Sequence, residues 1–511
     1  VTCTAIALPV LAQEPPALEL SLEEAVRRAL DNNLDIRVER YGPEASELAV
    51  EQALGAYDPA LTATLSNTSR TDEATNVFAG AAEVDTDVRV WNLGLGQYLP
   101  SGATARLTLN NNRTGTNNIY EDYNPSFTSS ATLSVTQPLL RGFRIDSSRY
   151  QIQVARRNRE ISDLQFRATV TATLANVKTL YYELLAARDN IEVQRKSLAL
   201  AKKLLEENRI RVRVGTMAPL DIVAAESEVA SREEGVIVAD ALLAQAEDAV
   251  KAAIFPANDA AMWATRIVPT ERLVADPVVV DTSGAVTRAL AQRTDIEAAR
   301  KDLEKATLTV GLTRNQALPG VDLSFSYGAT GVGGTFVERE RVPGSLVPGP
   351  ILRTVPGGYA DALGDALGLR FPTWSMAVNL TYPILNRAGR ANRARARLAR
   401  EQAETALARL EMNIASEVRA AGRAVETNLK RVESTRAART LQAQRLDAEE
   451  KKFAAGMSTN FFVTQAQRDL ELAAVNELRA IVDYRKSLVE FERVQEAGFS
   501  SSGSSITVAA R

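Results

Sequence analysis

Apolar positions recur along the chain with two periods, and each predicts a different element. In "SFTSSATLSVT", Phe127, Ala131, Leu133 and Val135 share one face, and Thr128, Ser130, Thr132, Ser134 and Thr136 share the other. "GVDLSFSYG" sets Val321, Leu323, Phe325 and Tyr327 against Asp322, Ser324 and Ser326. "WSMAVNLTY" sets Trp374, Met376, Val378, Leu380 and Tyr382 against Ser375, Ala377, Asn379 and Thr381, and "PALTATLSN" sets Leu61, Ala63 and Leu65 against Thr62 and Thr64. Strict alternation over ~10 residues predicts strands with one apolar and one small polar face. A further hairpin, Val84–Tyr98 and Ala103–Asn111 joined by "LPSGA", is expected in this first half of the chain only. It either extends the same sheet or stands apart from it. The Gly- and Pro-rich segment from Gly328 to Gly364 is expected to be an external loop, with a folded cap as the alternative.

The second period is seven. From Ile145 to Val214 there is neither Pro nor Gly. At ~1.5 Å per residue such a helix reaches roughly 100 Å. Within it Val170, Val177, Leu184, Ile191, Leu198 and Leu205 are heptad-spaced, with Leu174 and Tyr181 between them. That seam predicts a helix lying along a neighbour in coiled-coil fashion. Asn386 to Ala455 is its counterpart, interrupted by Gly389 and Gly422, with Leu407 and Ile414, then Val418, Val425 and Val432, at the same spacing.

The two halves also match each other. Ala25, Val26, Arg28, Ala29, Leu30, Asp35 and Ile36 recur as Ala285, Val286, Arg288, Ala289, Leu290, Asp295 and Ile296, and the same offset carries Pro59 onto Pro319. Pro138 in "LSVTQPLLRGFR" matches Pro383 in "VNLTYPILNRAGR", and "VGTMAPLDIVAAE" matches "AGMSTNFFVTQAQ". Matched landmarks in one order make the chain two copies of one unit: helix, strands, long helix, tip, helix. The expected organisation is residues 1–12 as a signal-peptide remnant, 13–256 as the first repeat, 257–282 as a linker, 283–497 as the second repeat, and 498–511 as a tail.

Composition narrows the chemistry. The 511 residues carry a net charge of −3, too balanced for a nucleic-acid binder. Histidine is absent and Cys3 is the single cysteine, so a Ser-His-Asp triad, a His-based zinc site and a disulfide framework are excluded. The apolar start ending in Val10-Leu11-Ala12 resembles the end of a secretory signal, and Cys3 is either removed with it or lipidated. No later run offers the ~18 apolar residues of a spanning helix. A membrane crossing would therefore use the strands, whose alternation is that of transmembrane barrel strands or of a half-buried soluble sheet. Two strand pairs cannot close a barrel alone, since ~8 strands are the minimum. Four strands from each of three chains would make about twelve. Pro138 and Pro383 would end the sheet and turn the chain into the helices, because Pro lacks the N–H a ladder needs.

The duplicated unit, the "LxxAVxxAL" opening helix, the "TQPL" junction and the "VGT" turn resemble the TolC-like outer-membrane efflux family over nearly the whole chain. The resemblance implies an α+β membrane protein, a homotrimer whose outer-membrane β-barrel continues into a periplasmic α-helical barrel. It implies an exit duct, without cofactor or catalytic site, working with a periplasmic adaptor (membrane fusion) protein and an inner-membrane efflux or ABC transporter. Gly215 and Gly456 would turn the chain at the periplasmic tips. Leu220, Ile222 and Ala225, like Phe461, Val463 and Ala466, would pack the returning helices. The resemblance makes these tips the gate and the adaptor-docking surface, with Asp221 at an acidic position of the first. At the second tip this sequence has Phe462, Gln465 and Ser458 where well-known members carry acidic residues and a basic partner, so that latch is not implied. Phe461 and Phe462 would instead narrow the tip by an apolar constriction, or one would pack the hairpin while the other lines it. Two arginine clusters follow the prolines, Arg141, Arg144, Arg149, Arg156, Arg157 and Arg159, then Arg387, Arg390, Arg393, Arg395, Arg397 and Arg400. They form either a basic collar, facing anionic headgroups of the outer-membrane lipid or the duct, or a solvated face. The competing reading of the whole chain is a structural or adhesive surface coiled coil with a soluble β-region.

Overall fold

A computed structural model describes residues 17–75, 78, 80–256, 259–340, 344, 348–495, 500, 501, 504 and 505. The expected signal remnant with Cys3, and most of the expected tail, lie outside the described residues. In chain order the elements are β1 (Ala17–Leu20), α1 (Leu22–Asn32), α2 (Leu34–Leu54), β2 (Ala60–Glu73), β3 (Glu83–Tyr98), β4 (Thr104–Thr116), β5 (Tyr123–Pro138), α3 (Ser147–Arg213) and α4 (Leu220–Ile254). Then follow α5 (Ala260–Trp263), β6 (Arg266–Pro269), α6 (Thr282–Gln292), α7 (Thr294–Gln316), β7 (Gly320–Arg339), β8 (Ile351–Val355), α8 (Tyr359–Leu367), β9 (Pro372–Thr381), α9 (Arg387–Ala454) and α10 (Asn460–Arg493). The chain divides into two compact units, one helical and one built on a sheet.

The helical unit comprises residues 1–45, 160–301 and 405–511. Its start is written twice. Ser21 caps α1 by accepting from the Glu24 amide at 3.1 Å, and Asp281 caps α6 by accepting from the Gly284 amide at 3.0 Å. Ser and Asp suit this position because a short side-chain oxygen reaches an amide that the helix leaves unpaired. The heptad positions carry the packing. Val170, Leu174, Val177, Tyr181, Leu184, Ile191 and Leu205 of α3 are buried, as are Ile414, Val418, Val425 and Val432 of α9. Tyr181 and Tyr484 are fully buried, and each phenol donates to a backbone carbonyl, of Leu20 at 2.9 Å and of Asp276 at 2.7 Å. Those bonds meet the polar need of a large buried ring. No helix among the described residues is long and apolar enough to cross a membrane.

The second unit comprises residues 46–159 and 302–404. Among the described residues it holds a seven-stranded antiparallel sheet in the order β2-β3-β4-β5-β7, with β9 and then β8 on the far edge of β7. One ladder row joins Leu61, Leu95, Leu107, Leu133, Tyr327 and Trp374 across six strands. The next row joins Thr62, Gly94, Thr108, Thr132, Gly328 and Thr373. The alternation read from the sequence thus becomes two continuous faces, and the apolar one is exposed at every position of that first row.

The structure decides two points that the sequence left open. The hairpin at Val84–Tyr98 and Ala103–Asn111 does not stand apart: β3 and β4 pair along most of their length on both sides. Gly328 to Gly364 is not simply a loop, since β7 runs on to Arg339 and pairs with β8, and α8 folds back onto β5 and β7. Gly331 and Gly333 look like loop glycines in the sequence, but they lie where the Ala362 and Gly358 carbonyls come so close that a Cβ would collide. Tyr359 of α8 sets its ring at 5.1 Å from Trp91 and donates its hydroxyl to Asn111 at 3.1 Å.

Candidate functional site

The helical hairpins end on the same backbone device. At the first tip the Thr216 amide donates to the Arg211 carbonyl at 2.9 Å and the Gly215 amide to Val212 at 3.0 Å. At the second, Met457 donates to Lys452 at 2.8 Å and Gly456 to Phe453 at 3.1 Å. Each is a Schellman closure, which requires a left-handed residue at its turn. Gly215 and Gly456 supply it with φ of +77° and +76°.

The side chains then diverge. At the first tip Leu220 is 77% exposed, Ile222 is half-buried and Ala225 is buried against Ala201, Leu205 and Val229. Asp221 stands half-buried in the first turn of α4, where a negative charge suits the helix dipole. At the second tip Val463 and Ala466 are fully enclosed with Leu204, Leu446 and Phe453. Phe461 and Phe462 are 67% and 52% exposed and touch edge to face at 5.6 Å, so neither packs the hairpin interior.

The two tips are tied together. The Arg211 guanidinium lies 4.2 Å from the centre of the buried Phe453 ring, a cation–π contact. Asn208 of α3 donates to Asn460 of α10 at 2.9 Å, both amides being buried. At the second tip Glu449 accepts from Lys452 at 2.7 Å and from Ser458 at 2.9 Å. Those two hydrogen bonds hold its carboxyl below the usual carboxylate range. Gln465 donates to Asp469 at 2.8 Å.

Sequence reasoning missed the buried ion pairs further along these hairpins. Glu228 of α4 is buried and accepts from Arg232 at 2.8 Å and from Arg468 of α10 at 3.1 Å. Burial alone would raise its carboxyl, but hydrogen bonding by Arg468 and the charge of Arg232 outweigh that and hold it below the usual range. Glu477 is likewise buried, 2.8 Å from Arg439. A charge on a helix surface reads as a solvated face in sequence, so nothing marked these two glutamates in advance.

Within the sheet unit, Pro138 is the last residue of β5 and pairs with Asp322, while Pro383 follows β9 by two residues. After Pro138 the Leu139 amide still reaches the Val321 carbonyl at 2.7 Å, and Gly142 then turns with φ of +87°. After Pro383 the side chain of Asn386 donates to the Ala317 carbonyl at 2.9 Å. The arginine clusters are used unequally. Arg157 pairs with Glu304 and Arg159 with Glu47, both at 2.8 Å, and Arg149 pairs with Asp146. Arg387, Arg395 and Arg397 are exposed.

The sequence profile of the family described as "Outer membrane efflux protein" matches residues 25–254 and 285–494. The chain is 24% identical over 181 residues to the outer membrane protein TolC of Vibrio cholerae, a stretch covering 35% of this chain and 40% of that relative. Its fold is similar to the CmeC outer membrane channel of Campylobacter jejuni, with a TM-score of 0.64 and 16% identity over 95% of this chain and 87% of that one. It is also similar to the outer membrane protein VceC of Vibrio cholerae, with a TM-score of 0.64 and 14% identity over 94% and 97%. The MtrE outer membrane channel of Neisseria gonorrhoeae gives a TM-score of 0.61 and 17% identity over 93% and 88%. Two matched segments covering most of the sequence, on a duplicated fold of long helices and antiparallel strands, show that this chain belongs to the outer membrane efflux protein family, whose members are channels of the outer membrane and not enzymes.

Proposed function

We propose that three copies of this chain form a duct that carries solutes from the periplasm through the outer membrane, taking them from an inner-membrane transporter by way of a periplasmic adaptor. One observation carries the reading. The sheet bears a continuous exposed apolar row on one face and a small polar row on the other, and both long helices start directly after strands of that sheet. An apolar face toward lipid and a polar face toward a lumen is the arrangement of a transmembrane barrel. The repeats at 13–256 and 283–497 would each contribute one helical hairpin to the tunnel. The tips around Gly215 and Gly456 would be its gate and its adaptor-docking end, with Phe461 and Phe462 as an apolar constriction. The second arginine cluster, exposed apart from the half-buried Arg393, would face lipid headgroups, and Arg393→Glu with Arg397→Glu should then reduce membrane retention.

The test is reconstitution of the detergent-extracted protein in a planar bilayer, with native mass measured on the same sample. A trimer that conducts ions supports the duct. A water-soluble oligomer without conductance overturns it in favour of an adhesive coiled coil.

A further inference from the structure

The sheet holds more long strands than two pairs per chain would require. β2, β3, β4, β5, β7 and β9 form one ladder of six, ten residues or longer each. The inserted hairpin is part of the wall on both faces. Leu93 and Leu95, with Leu107 and Leu109, continue the apolar rows, and Asn92, Thr108 and Asn110 continue the polar side. α8 meets Trp91, Asn111, Gly331 and Gly333, which lie on the face of the apolar row, so this helix leaves the polar face clear.

The ladder has two open ends. β2 and β9 each pair on one side only among the described residues, and every residue of β9 is exposed. Unpaired backbone groups in hydrocarbon cost several kcal/mol each, so these edges need partners. The chain cannot supply them by closing on itself, because a closed barrel needs about eight strands. Directions alternate along the ladder, so β9 and β2 run opposite to each other and the β2 of a second copy extends β9 in the antiparallel sense. An inserted hairpin adds two strands and keeps that alternation, whereas a single added strand would force a parallel seam.

The apolar belts set the stagger. On β2 the belt is Leu61 to Leu65, and on β9 it is Trp374 to Leu380. Within one copy Leu61 shares its row with Trp374. Setting Leu61 of the next copy beside Leu380 moves the ladder by about six residues per six strands, which at ~3.3 Å per residue and ~4.8 Å between strands tilts the strands ~35°. That is the tilt closed barrels adopt. We infer that three copies, joined β9 to β2 around a ring, close an eighteen-stranded barrel, with a wider bore than the twelve strands expected from two pairs per chain. The inference rests on the trimer proposed above.

The experiment uses the full chain with Cys3→Ser, extracted in detergent. Oxidation of Leu61→Cys combined with Leu380→Cys, or with the same-face neighbours Val378→Cys or Tyr382→Cys, should give covalent trimers, and each single variant should give none. In bilayers, polyethylene glycols added from the outer side should enter the intact barrel at larger size than a variant lacking Glu83–Thr116, whose lumen cross-section falls up to about twofold. A sample of trimeric native mass that yields no covalent trimer in any of the three registers overturns the seam, as does an unchanged polymer cut-off in the shortened variant. A native mass other than a trimer overturns the proposed function itself. Should the shortened variant fail to assemble, the cross-links alone decide.

Discussion

The two hairpin tips end on one backbone solution and differ in how far they bury the side chains beyond it. Gly215 and Gly456 close their helices with the same pair of hydrogen bonds and nearly the same φ. Beyond the turn both tips bury an alanine, Ala225 or Ala466, and expose an apolar side chain, Leu220 or Phe461, but Ile222 stays half-buried where Val463 is enclosed, and the second tip adds the exposed ring of Phe462. Backbone geometry at a helix end is thus set locally, by glycine, while the use of the tip depends on which residues find a neighbour. Both tips find that neighbour in α3, the first through Ala201 and Leu205 and the second, more extensively, through Leu204, Arg211 and Asn208.

The largest test of this difference is Phe453→Ala. It removes a buried ring and with it the contact to the Arg211 guanidinium, and should cost ~3–5 kcal/mol in thermal unfolding of the helical signal. Leu220→Ala at the first tip should stay within about 0.5 kcal/mol. Equal losses would mean that the tips are packed alike.

Glu228→Gln comes next, with an expected loss of ~1–3 kcal/mol at neutral pH, since Arg468 loses its charged partner and Arg232 keeps only Glu471. The sign follows from the lowered carboxyl. Its stabilisation is fully present above the ordinary glutamate value and disappears as pH falls through the depressed one. The variant should therefore approach the parent chain in acid, measured as unfolding midpoint between neutral pH and about pH 3. A constant gap across that range would refute the ion-pair account.

Gly215→Ala and Gly456→Ala sharpen the part the tips share. Each forces a side chain into a left-handed turn and should cost ~1 kcal/mol, by similar amounts, because neither position meets an atom that a Cβ would strike. A cost several times larger at one tip would show packing there that the turn alone does not explain. The smallest effect on stability, near zero, is expected for Phe461→Ala with Phe462→Ala, since both rings are exposed. The same double variant should raise closed-state ion leakage in bilayers if these rings narrow the tip. An unchanged leak would leave them without a part in closure.

Much of the fold was readable from pattern. The heptad seam of α3 named buried residues because a long helix exposes a periodic stripe that only a neighbour can cover. The offset between repeats carried the start of α1 onto that of α6 and the start of β2 onto that of β7. At the tips, the glycines were legible because positive φ is a property of one residue. The exposure of Leu220, Phe461 and Phe462 was not, since their apolar character suited packing as well as a surface. The burial of Glu228 and Glu477 was equally hidden, because each depends on an arginine distant in sequence.

By itself, then, the sequence determined which segments become the long helices and most of the long strands, where the helices turn, and that the unit is duplicated, for these follow from spacing, glycine and proline within a few residues. Only the tertiary structure decided that the inserted hairpin lies in the wall between β2 and β5, that Gly331 and Gly333 continue a strand beneath α8, and which two strands remain as edges. Those outcomes turn on backbone pairing between distant segments, and a ladder's hydrogen bonds leave no mark on the identity of the residues that make them.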